Sequence, residues 1–146
     1  MRCELVSDWM TRDVITITPD TVLSAADKLM TTREIRRLPV VKNGRLHAIV
    51  TYGDVREARP SAATSLSIWE IHTLLATCTV SEIMQTDVIS ITANATIGEA
   101  AQLLLINAIG SLPVIDNKHH VVGIITESDI FRMVVRDWNK QEASSK

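Results

Sequence analysis

The sequence predicts an α/β (α+β) fold built from two copies of one small unit. Val6 and Pro39 of the first copy return as Val80 and Pro113, each 74 residues further along the chain. After that proline the offset becomes 75 residues, so the second copy carries one extra residue in a turn. In a chain of 146 residues, two copies of this length must share the burial of their apolar surface to be stable.

Each copy begins with a strand and a helix. Residues 14–18 (VITIT) alternate and are rich in β-branched side chains, which predicts a short strand that Pro19 ends. From Leu23 onward, apolar residues recur at the spacing of one helix face. The members of this face are Leu23, Ala26, Leu29 and Met30, and in the second copy Ile97, Ala100, Leu103 and Leu104.

A hairpin and a second helix complete each copy. Residues 38–41 form a predicted buried strand, Asn43-Gly44 favours a tight turn, and residues 46–51 form the returning strand. In the second copy the turn is at residues 116–118 and the returning strand at 121–126. Each copy is therefore predicted to hold a small three-stranded sheet and two helices.

The repeat boundaries predict four segments. These are a first motif over residues 1–58, a linker with a connecting helix over 59–79, a second motif over 80–138, and a flexible polar tail over 139–146. Within the linker, residues 60–65 indicate a loop. The apolar face of the connecting helix is predicted to hold Leu66, Trp69, Ile71, Leu74 and Leu75.

Composition argues against several classes of protein. The net charge of −2 argues against nucleic acid or a membrane surface as partner. The N-terminus lacks the pattern of a signal peptide, and no apolar stretch approaches the ~20 residues that span a bilayer. Cys3 and Cys78 are too few for a disulfide framework, so we expect ordinary thiols in a reducing, cytoplasmic setting.

The sequence contains no recognisable catalytic constellation. It lacks a phosphate-cradling glycine loop, an HExxH motif and a nucleophile elbow. His119 and His120 lie in a predicted turn, and the other two histidines are scattered along the chain. We therefore expect neither a metal site nor an enzyme.

The most informative polar pattern is a threonine followed three residues later by an aspartate, at the end of the last strand of each copy. The pairs are Thr51 with Asp54 and Thr126 with Asp129. A carboxylate only accepts hydrogen bonds, which suits a vicinal diol with its two donors. The alternative is that each aspartate caps the helix that follows the strand.

Together these motifs resemble a tandem pair of cystathionine-β-synthase-type (CBS) domains, known as a Bateman module. The resemblance rests on the LPV strand and the ending AIVTYGD (residues 48–54) in the first copy, with LPV and GIITESD (residues 123–129) in the second. It covers residues 6–135, and the first copy departs from the family in having Ala48 where glycine is usual. The resemblance implies two pseudo-symmetric motifs packed through their sheets.

The resemblance also implies a set of ligand contacts. The aspartates would bind ribose hydroxyls, and the threonines would contact ribose or phosphate. Adenine would lie in slots lined by Ile15 and Ile35, and by Ile89 and Ile109, each slot facing the Thr/Asp motif of the opposite repeat. The alternative for these four isoleucines is a role in the core alone.

Arginines supply the predicted phosphate contacts. Arg36 and Arg37 precede the first LPV strand, where the second copy has Gly110 followed by a serine. By resemblance these positions approach the ligand phosphates, and a guanidinium suits phosphate oxygens; the alternative is a solvated surface. Arg56 and Arg132 follow the motif aspartates near the helix starts, where they predict a supporting phosphate site.

The function implied is that of a regulatory sensor. It would bind AMP, ADP, ATP, NAD or S-adenosylmethionine in the clefts between repeats and signal to an effector protein. Bateman modules commonly pair into dimers, and we expect a homodimer whose interface suits the connecting helix with Trp69. Trp9 and Trp138 would contribute to it as well; the alternative for each is a role in local packing. The alternative is a ligand-free dimerisation or scaffold module.

Overall fold

The computed structural model describes residues 4–60 and 65–145. They form two compact units. The first-repeat unit is Ile15–Val88, and the second-repeat unit joins Met1–Val14 to Ile89–Lys146. The opening residues of each sequence repeat therefore do not stay with that repeat: residues 6–14 pack with the second repeat, and residues 80–88 with the first. The predicted loop over 60–65 lies largely outside the described residues, as does Cys3.

The first-repeat unit is a helix, a hairpin and two further helices. Its elements are α2 Leu23–Thr32, β1 Arg37–Lys42, β2 Arg45–Thr51, α3 Tyr52–Ala58 and α4 Ile68–Thr77. The hairpin turn confirms the prediction, because Asn43 and Gly44 both have positive φ, as a tight turn of this kind requires. The predicted face of α2 is confirmed as well: Leu23, Ala26 and Met30 are buried.

The strand predicted over residues 14–18 is mostly absent. Only Ile17 pairs with β1: its N–H donates to Pro39 and its carbonyl accepts from Val41. The chain turns directly after Ile17, where the hydroxyl of Thr21 accepts from the N–H of Thr18. The sheet of this unit is therefore a two-stranded hairpin with one added bridge on each strand, Ile17 beside β1 and Gln85 beside β2.

Helix α4 buries less than its sequence predicts. Ser67 caps it by accepting a hydrogen bond from the N–H of Glu70. Of the predicted apolar face, Ile71 and Leu75 are half-buried, whereas Leu66, Trp69 and Leu74 are exposed. Helix α2 is the main packing partner of α4, and no residue of α4 is fully buried.

The second-repeat unit contains a three-stranded sheet. Its elements are α1 Val6–Trp9, β3 Ile91–Thr92, α5 Ile97–Asn107, β4 Ser111–Ile115, β5 Val121–Thr126 and α6 Glu127–Ser144. Strand β4 lies in the middle, parallel to β3 and antiparallel to β5. The N-terminal segment joins this unit through a two-way backbone pairing between Thr11 and Ile124.

The tail predicted to be flexible over 139–146 is helical as far as Ser144, because α6 continues through it. The apolar periodicity ends at Trp138, but the following residues include Lys, Gln, Glu and Ala, which have high intrinsic helix propensity. No helix among the described residues is long and apolar enough to span a membrane.

Candidate functional site

The first Thr–Asp motif lies where β2 ends and α3 begins. Thr51 is the N-cap of α3: its hydroxyl accepts from the N–H of Asp54 at 3.1 Å, and its own N–H donates to Asp54 Oδ2 at 2.9 Å. The two residues therefore form a reciprocal capping box. Asp54 therefore has the helix-capping role that the sequence analysis gave as the alternative to ligand binding. The capping box also fixes the position of its carboxylate at the end of the hairpin.

Asp54 has a further partner that the sequence did not suggest. The side-chain amide of Gln85 donates to both carboxylate oxygens, at 3.0 and 3.1 Å. The backbone of Gln85 also pairs in both directions with Ile49 on β2. No sequence signal marks Gln85, because its contact depends on the path of the segment that follows the linker helix.

The second Thr–Asp motif repeats the capping geometry. Thr126 donates its N–H to Asp129 Oδ2 at 2.9 Å, and its hydroxyl accepts from the N–H of Asp129 at 3.4 Å. The other carboxylate oxygen differs from the first copy, because it accepts from Arg132 at 2.8 Å. Asp129 is 6% exposed, whereas the side chain of Arg132 reaches solvent.

The four slot isoleucines are divided between the units. Ile15 and Ile35 pack half-buried against the core of the first-repeat unit, and Ile89 and Ile109 against that of the second. All four isoleucines therefore make the core contacts that the sequence analysis gave as the alternative to lining an adenine slot. The expectation that each slot faces the Thr/Asp motif of the opposite repeat stays a prediction.

The residues before each LPV strand lie beside the motif of the same repeat. The carbonyl of Arg36 accepts from the N–H of Tyr52 at 2.7 Å, and that of Gly110 from the N–H of Glu127 at 3.1 Å. Arg37 is opposite Thr51 in the hairpin register. In the first repeat this brings Arg36 and Arg37 to the same end of the hairpin as the motif.

The arginines differ in how they are held. Arg36 is exposed and Arg37 half-buried, and neither forms an ion pair within the described ranges. Arg56 lies over the ring of Tyr52, 5.8 Å from its centroid. Arg132 instead donates a hydrogen bond to Asp129 within its own repeat.

A shallow groove borders the first motif. It has a volume of about 280 Å³ and is lined by Asp54, Glu57, Ala58 and Ile83. A larger groove of about 550 Å³ in the second-repeat unit, lined among others by Met10, Asn94 and Val122, contains none of the predicted site residues.

Reactive groups are sparse in the described part of the chain. It holds no group of three or more His, Cys, Asp or Glu side chains that could bind a metal ion. Partial burial, followed by the neighbouring Glu82, raises the pKa of the Cys78 thiol. A raised pKa keeps this thiol protonated near neutral pH and so makes it a poor nucleophile.

Comparison with known proteins identifies the architecture. The CBS domain profile matches the chain twice, over residues 6–61 and 80–136. The chain belongs to the CBS domain family. The structure of a CBS domain pair protein, the acetoin utilization protein AcuB from Vibrio cholerae, is 31% identical with a TM-score of 0.78, covering 97% of this chain and 98% of that one.

Two further relatives place the module in a functional context. The CBS domain pair of protein MJ0100, in complex with 5′-methylthioadenosine and S-adenosyl-L-methionine, is 26% identical with a TM-score of 0.77, covering 93% of this chain and 99% of that one. Inosine-5′-monophosphate dehydrogenase of Thermoplasma acidophilum is 39% identical over 119 residues, which are 82% of this chain but 21% of the enzyme. CBS domain pairs are thus regulatory modules, and the domain pair of MJ0100 binds adenosine ligands.

Proposed function

We propose that this protein is a regulatory module that binds an adenosine-containing ligand at its two Thr–Asp motifs. The observation that carries the proposal is the recurrence of one arrangement. In each repeat, the threonine at the end of the last strand forms a reciprocal capping box with the aspartate at the third position of the following helix. This capping box lies beside the residue that precedes the LPV strand. The adenosine ligands of the MJ0100 domain pair support this assignment.

The chemistry of each motif suits a ribose. An ionised carboxylate has about four acceptor positions, and the cap uses only some of them. Asp54 accepts hydrogen bonds from Thr51 and from Gln85, and neither donor is charged. No cation among these partners offsets the carboxylate, and part of its acceptor capacity stays open. A vicinal diol can then donate to the remaining positions, and we assign that role to Asp54 and Asp129.

The two sites are proposed to differ in their preference for phosphate. Arg36 and Arg37 flank the first motif, and both guanidinium groups lack an ion-pair partner among the described residues. They suit the phosphates of AMP, ADP or ATP. In the second repeat the same positions are Gly110 and the buried Ser111. That site suits an adenosine ligand with no phosphate at this position, such as S-adenosylmethionine, whereas NAD, which carries a diphosphate, is a further candidate for the first site.

Regulation requires more than binding. A ligand shifts a protein between two arrangements only by as much as its affinity for them differs. The chain carries no catalytic group that we can identify, so the signal is proposed to pass to a cytoplasmic effector protein, from a homodimer. A ligand-free dimerisation or scaffold module is the competing function.

Thermal unfolding with ligands tests the proposal. AMP, ADP, ATP, NAD and S-adenosylmethionine are added in turn, with GTP as the control nucleotide. Ligand at 100 times its dissociation constant should add about 2.7 kcal/mol of stability, which raises Tm by about 5–11 °C in a domain of this size.

A matched variant makes the result specific. In the double variant Asp54→Asn/Asp129→Asn the ligand-induced shift should vanish, while Glu99→Gln should keep it. Glu99 closes an equivalent capping box with Thr96 on α5, outside the proposed sites, so it controls for the loss of a cap carboxylate. Absence of any shift in folded, ligand-free protein would favour the scaffold function.

A further inference from the structure

The larger groove of the second-repeat unit lies apart from the Thr–Asp motif of that unit. It has a volume of about 550 Å³, within the ~300–1,000 Å³ that is usual for small-molecule sites in proteins. Its lining comes from the residues after α1, the turn after β3 and the tip of the β4–β5 hairpin. The motif that begins at Thr126 lies at the other end of this hairpin, where β5 ends. The groove is therefore a separate candidate site.

Three apolar residues form the floor of the groove. Ile115 and Met10 are 7% and 9% exposed, and Val122 is half-buried. Methionine has a flexible, polarizable side chain, which adapts to apolar groups of different shapes. Such a floor binds the apolar part of a small ligand by removing it from water.

The positive charge on the rim of the groove is Arg12. Its guanidinium donates to the carbonyl of Ser7 at 3.0 Å, and it has no carboxylate partner among the described residues. A guanidinium has several N–H donors, so most of them remain for a ligand carboxylate. Asn94 adds to them: its side-chain oxygen accepts from Thr92 at 2.8 Å, which leaves its NH2 group to donate elsewhere.

The negative charge on the rim is Asp116. Its Oδ1 accepts from the N–H groups of Lys118 and His120, both at 2.9 Å, and Nδ1 of His120 lies 3.3 Å from Oδ2. These contacts hold the carboxylate at the hairpin tip. A carboxylate has about four acceptor positions, so Oδ2 keeps one for an ammonium group. The groove thus combines a cation, an anion and an apolar floor.

The fold itself does not require this combination, as the first repeat shows. At the equivalent positions the first repeat has neither the arginine, nor the carboxylate, nor the apolar side chain. The pairs of equivalent residues are Arg12 with Thr86, Asp116 with Lys42, and Val122 with His47. Since both repeats build the same fold, this difference favours a role of these side chains in binding over a role in folding.

We propose that this groove binds a free α-amino acid with a large apolar side chain. The carboxylate of the amino acid binds Arg12 and Asn94, its ammonium group binds Asp116, and its side chain lies on the apolar floor. A zwitterion matches a rim with one charge of each sign, whereas Asp116 repels a purely anionic ligand and Arg12 a purely cationic one. The amino acid is a second input to the module, and its binding does not rest on adenosine binding at the Thr–Asp motifs.

Titration calorimetry at neutral pH with L-leucine, L-methionine and L-phenylalanine tests the proposal. At least one of them should bind, and two truncated forms of leucine should bind about tenfold more weakly or worse: isoamylamine lacks the carboxylate, and isocaproate lacks the amino group. Arg12→Gln and Asp116→Asn should each weaken amino-acid binding by a similar factor. Asparagine keeps an oxygen for the N–H bonds of the turn, so Asp116→Asn should stay folded by circular dichroism.

Matched controls and the position of the ligand make the test specific. Arg33→Gln and Glu142→Gln remove the same charges from exposed positions outside the groove and should leave the affinity unchanged. In nuclear magnetic resonance spectra the amino acid should shift the backbone amide signals of Asn94 and Asn117, and leave that of Thr126 in place. No binding of any of the three amino acids, equal binding of a truncated form, or equal losses in the control variants would each overturn the proposal.

Discussion

Gln85 binds the carboxylate of Asp54 in addition to the helix cap that Thr51 supplies. Its amide group donates to both oxygens, at 3.0 and 3.1 Å, while the N–H of Thr51 donates to one of them. The backbone of Gln85 is in turn fixed to Ile49 on the strand that ends at Thr51. The proposed ribose acceptor is thus oriented by groups on two separate segments of one unit.

We predict that Gln85→Ala weakens nucleotide binding at the first motif by about three- to tenfold, the worth of roughly one ordinary hydrogen bond, because Gln85 acts on the ligand only through Asp54. Gln85→Glu should weaken it further, because a second carboxylate would repel Asp54. Titration calorimetry in an Asp129→Asn background isolates the first site. Thr11→Ala is the control, since Thr11 is the equivalent residue of the second repeat. Equal affinity of all three variants and the parent would show that Gln85 does not position the ligand acceptor.

Gly123 is predicted to be the glycine least tolerant of substitution. A Cβ atom there would lie 2.6 Å from the sulfur of Met10 and 3.0 Å from the carbonyl oxygen of Thr11. The methionine side chain can move, but the backbone carbonyl is fixed by its pairing with Ile124. Gly123→Ala should therefore cost about 1–3 kcal/mol of unfolding free energy, as overpacking does.

Urea unfolding measures this cost, and the repeat supplies the control. The first repeat has Ala48 at the equivalent position, fully buried in its core. Ala48→Gly should cost about 0.5–1 kcal/mol, the usual penalty of a glycine within a strand. If Gly123→Ala were as stable as the wild type, the N-terminal segment would have to pack differently from the arrangement described.

Local signals predicted much of the fold, and tertiary contacts account for what they missed. The Asn43-Gly44 turn and the face from Leu23 to Met30 depend on residues close in sequence, and both are confirmed. The strand over 14–18 was predicted too long, because alternation indicates an extended chain but not whether a neighbour pairs with it. Helix α6 extends into the polar tail, which the sequence did not predict, because the tail has high helix propensity after the apolar pattern has ended.

Predictions of the candidate site divide in the same way between local sequence signals and tertiary contacts. Thr51, Asp54 and their second-repeat counterparts were found from spacing alone, and their capping geometry was weighed in advance. The contact of Gln85 with Asp54 joins residues 31 positions apart, and the preference of Arg132 for Asp129 depends on its rotamer. The first contact leaves no pattern in the sequence, whereas the second has the i,i+3 spacing of a helical ion pair, which by itself does not distinguish Asp129 from a ligand phosphate as the partner of Arg132.

Asp116 should make a pH-dependent contribution to stability. Its Oδ1 accepts from the N–H groups of His120 and Lys118, both at 2.9 Å, and these bonds, that of His120 foremost, lower its pKa below the usual 3.8. A lowered folded-state pKa stabilises the protein at pH values above the unfolded pKa, and the stabilisation is lost as the pH falls through the folded value.

Asp116→Ala should therefore lower Tm relative to wild type at pH 5–8, and the difference between the two proteins should shrink below about pH 4. Differential scanning calorimetry over this range measures it. Glu142→Ala removes an exposed carboxylate from α6 and serves as the control, with a small difference throughout. A difference in Tm that stays constant down to pH 2 would mean that the carboxylate charge of Asp116 contributes nothing.

Arg136 joins the N-terminal segment to α6 within the second-repeat unit. Its guanidinium donates to Glu4 Oε1 at 2.9 Å and to Asp137 Oδ1 at 2.6 Å, and it lies 4.8 Å from the ring centroid of Trp9. The indole N–H of Trp9 donates to the other oxygen of Glu4 at 3.0 Å. Trp9 is therefore held by local packing and hydrogen bonds.

Replacing Arg136 should destabilise the packing of the N-terminal segment on α6. The loss of unfolding free energy should grow with the number of interactions that the substitution removes. Arg136→Ala removes three charged hydrogen bonds to two carboxylates and a cation–π contact at a site about one-third exposed, so it should lower the free energy of unfolding by an amount that solvent screening reduces. Arg136→Lys keeps the charge but not the planar fork, so it should recover only part of the loss.

Urea unfolding gives the free energies, and Lys140→Ala, an exposed cation one turn further along α6, should cost under about 0.5 kcal/mol. Raising the salt concentration should narrow the gap between Arg136→Ala and wild type. If Arg136→Ala and Lys140→Ala were equally stable, the contacts of Arg136 with Glu4 and Trp9 would contribute no net stability.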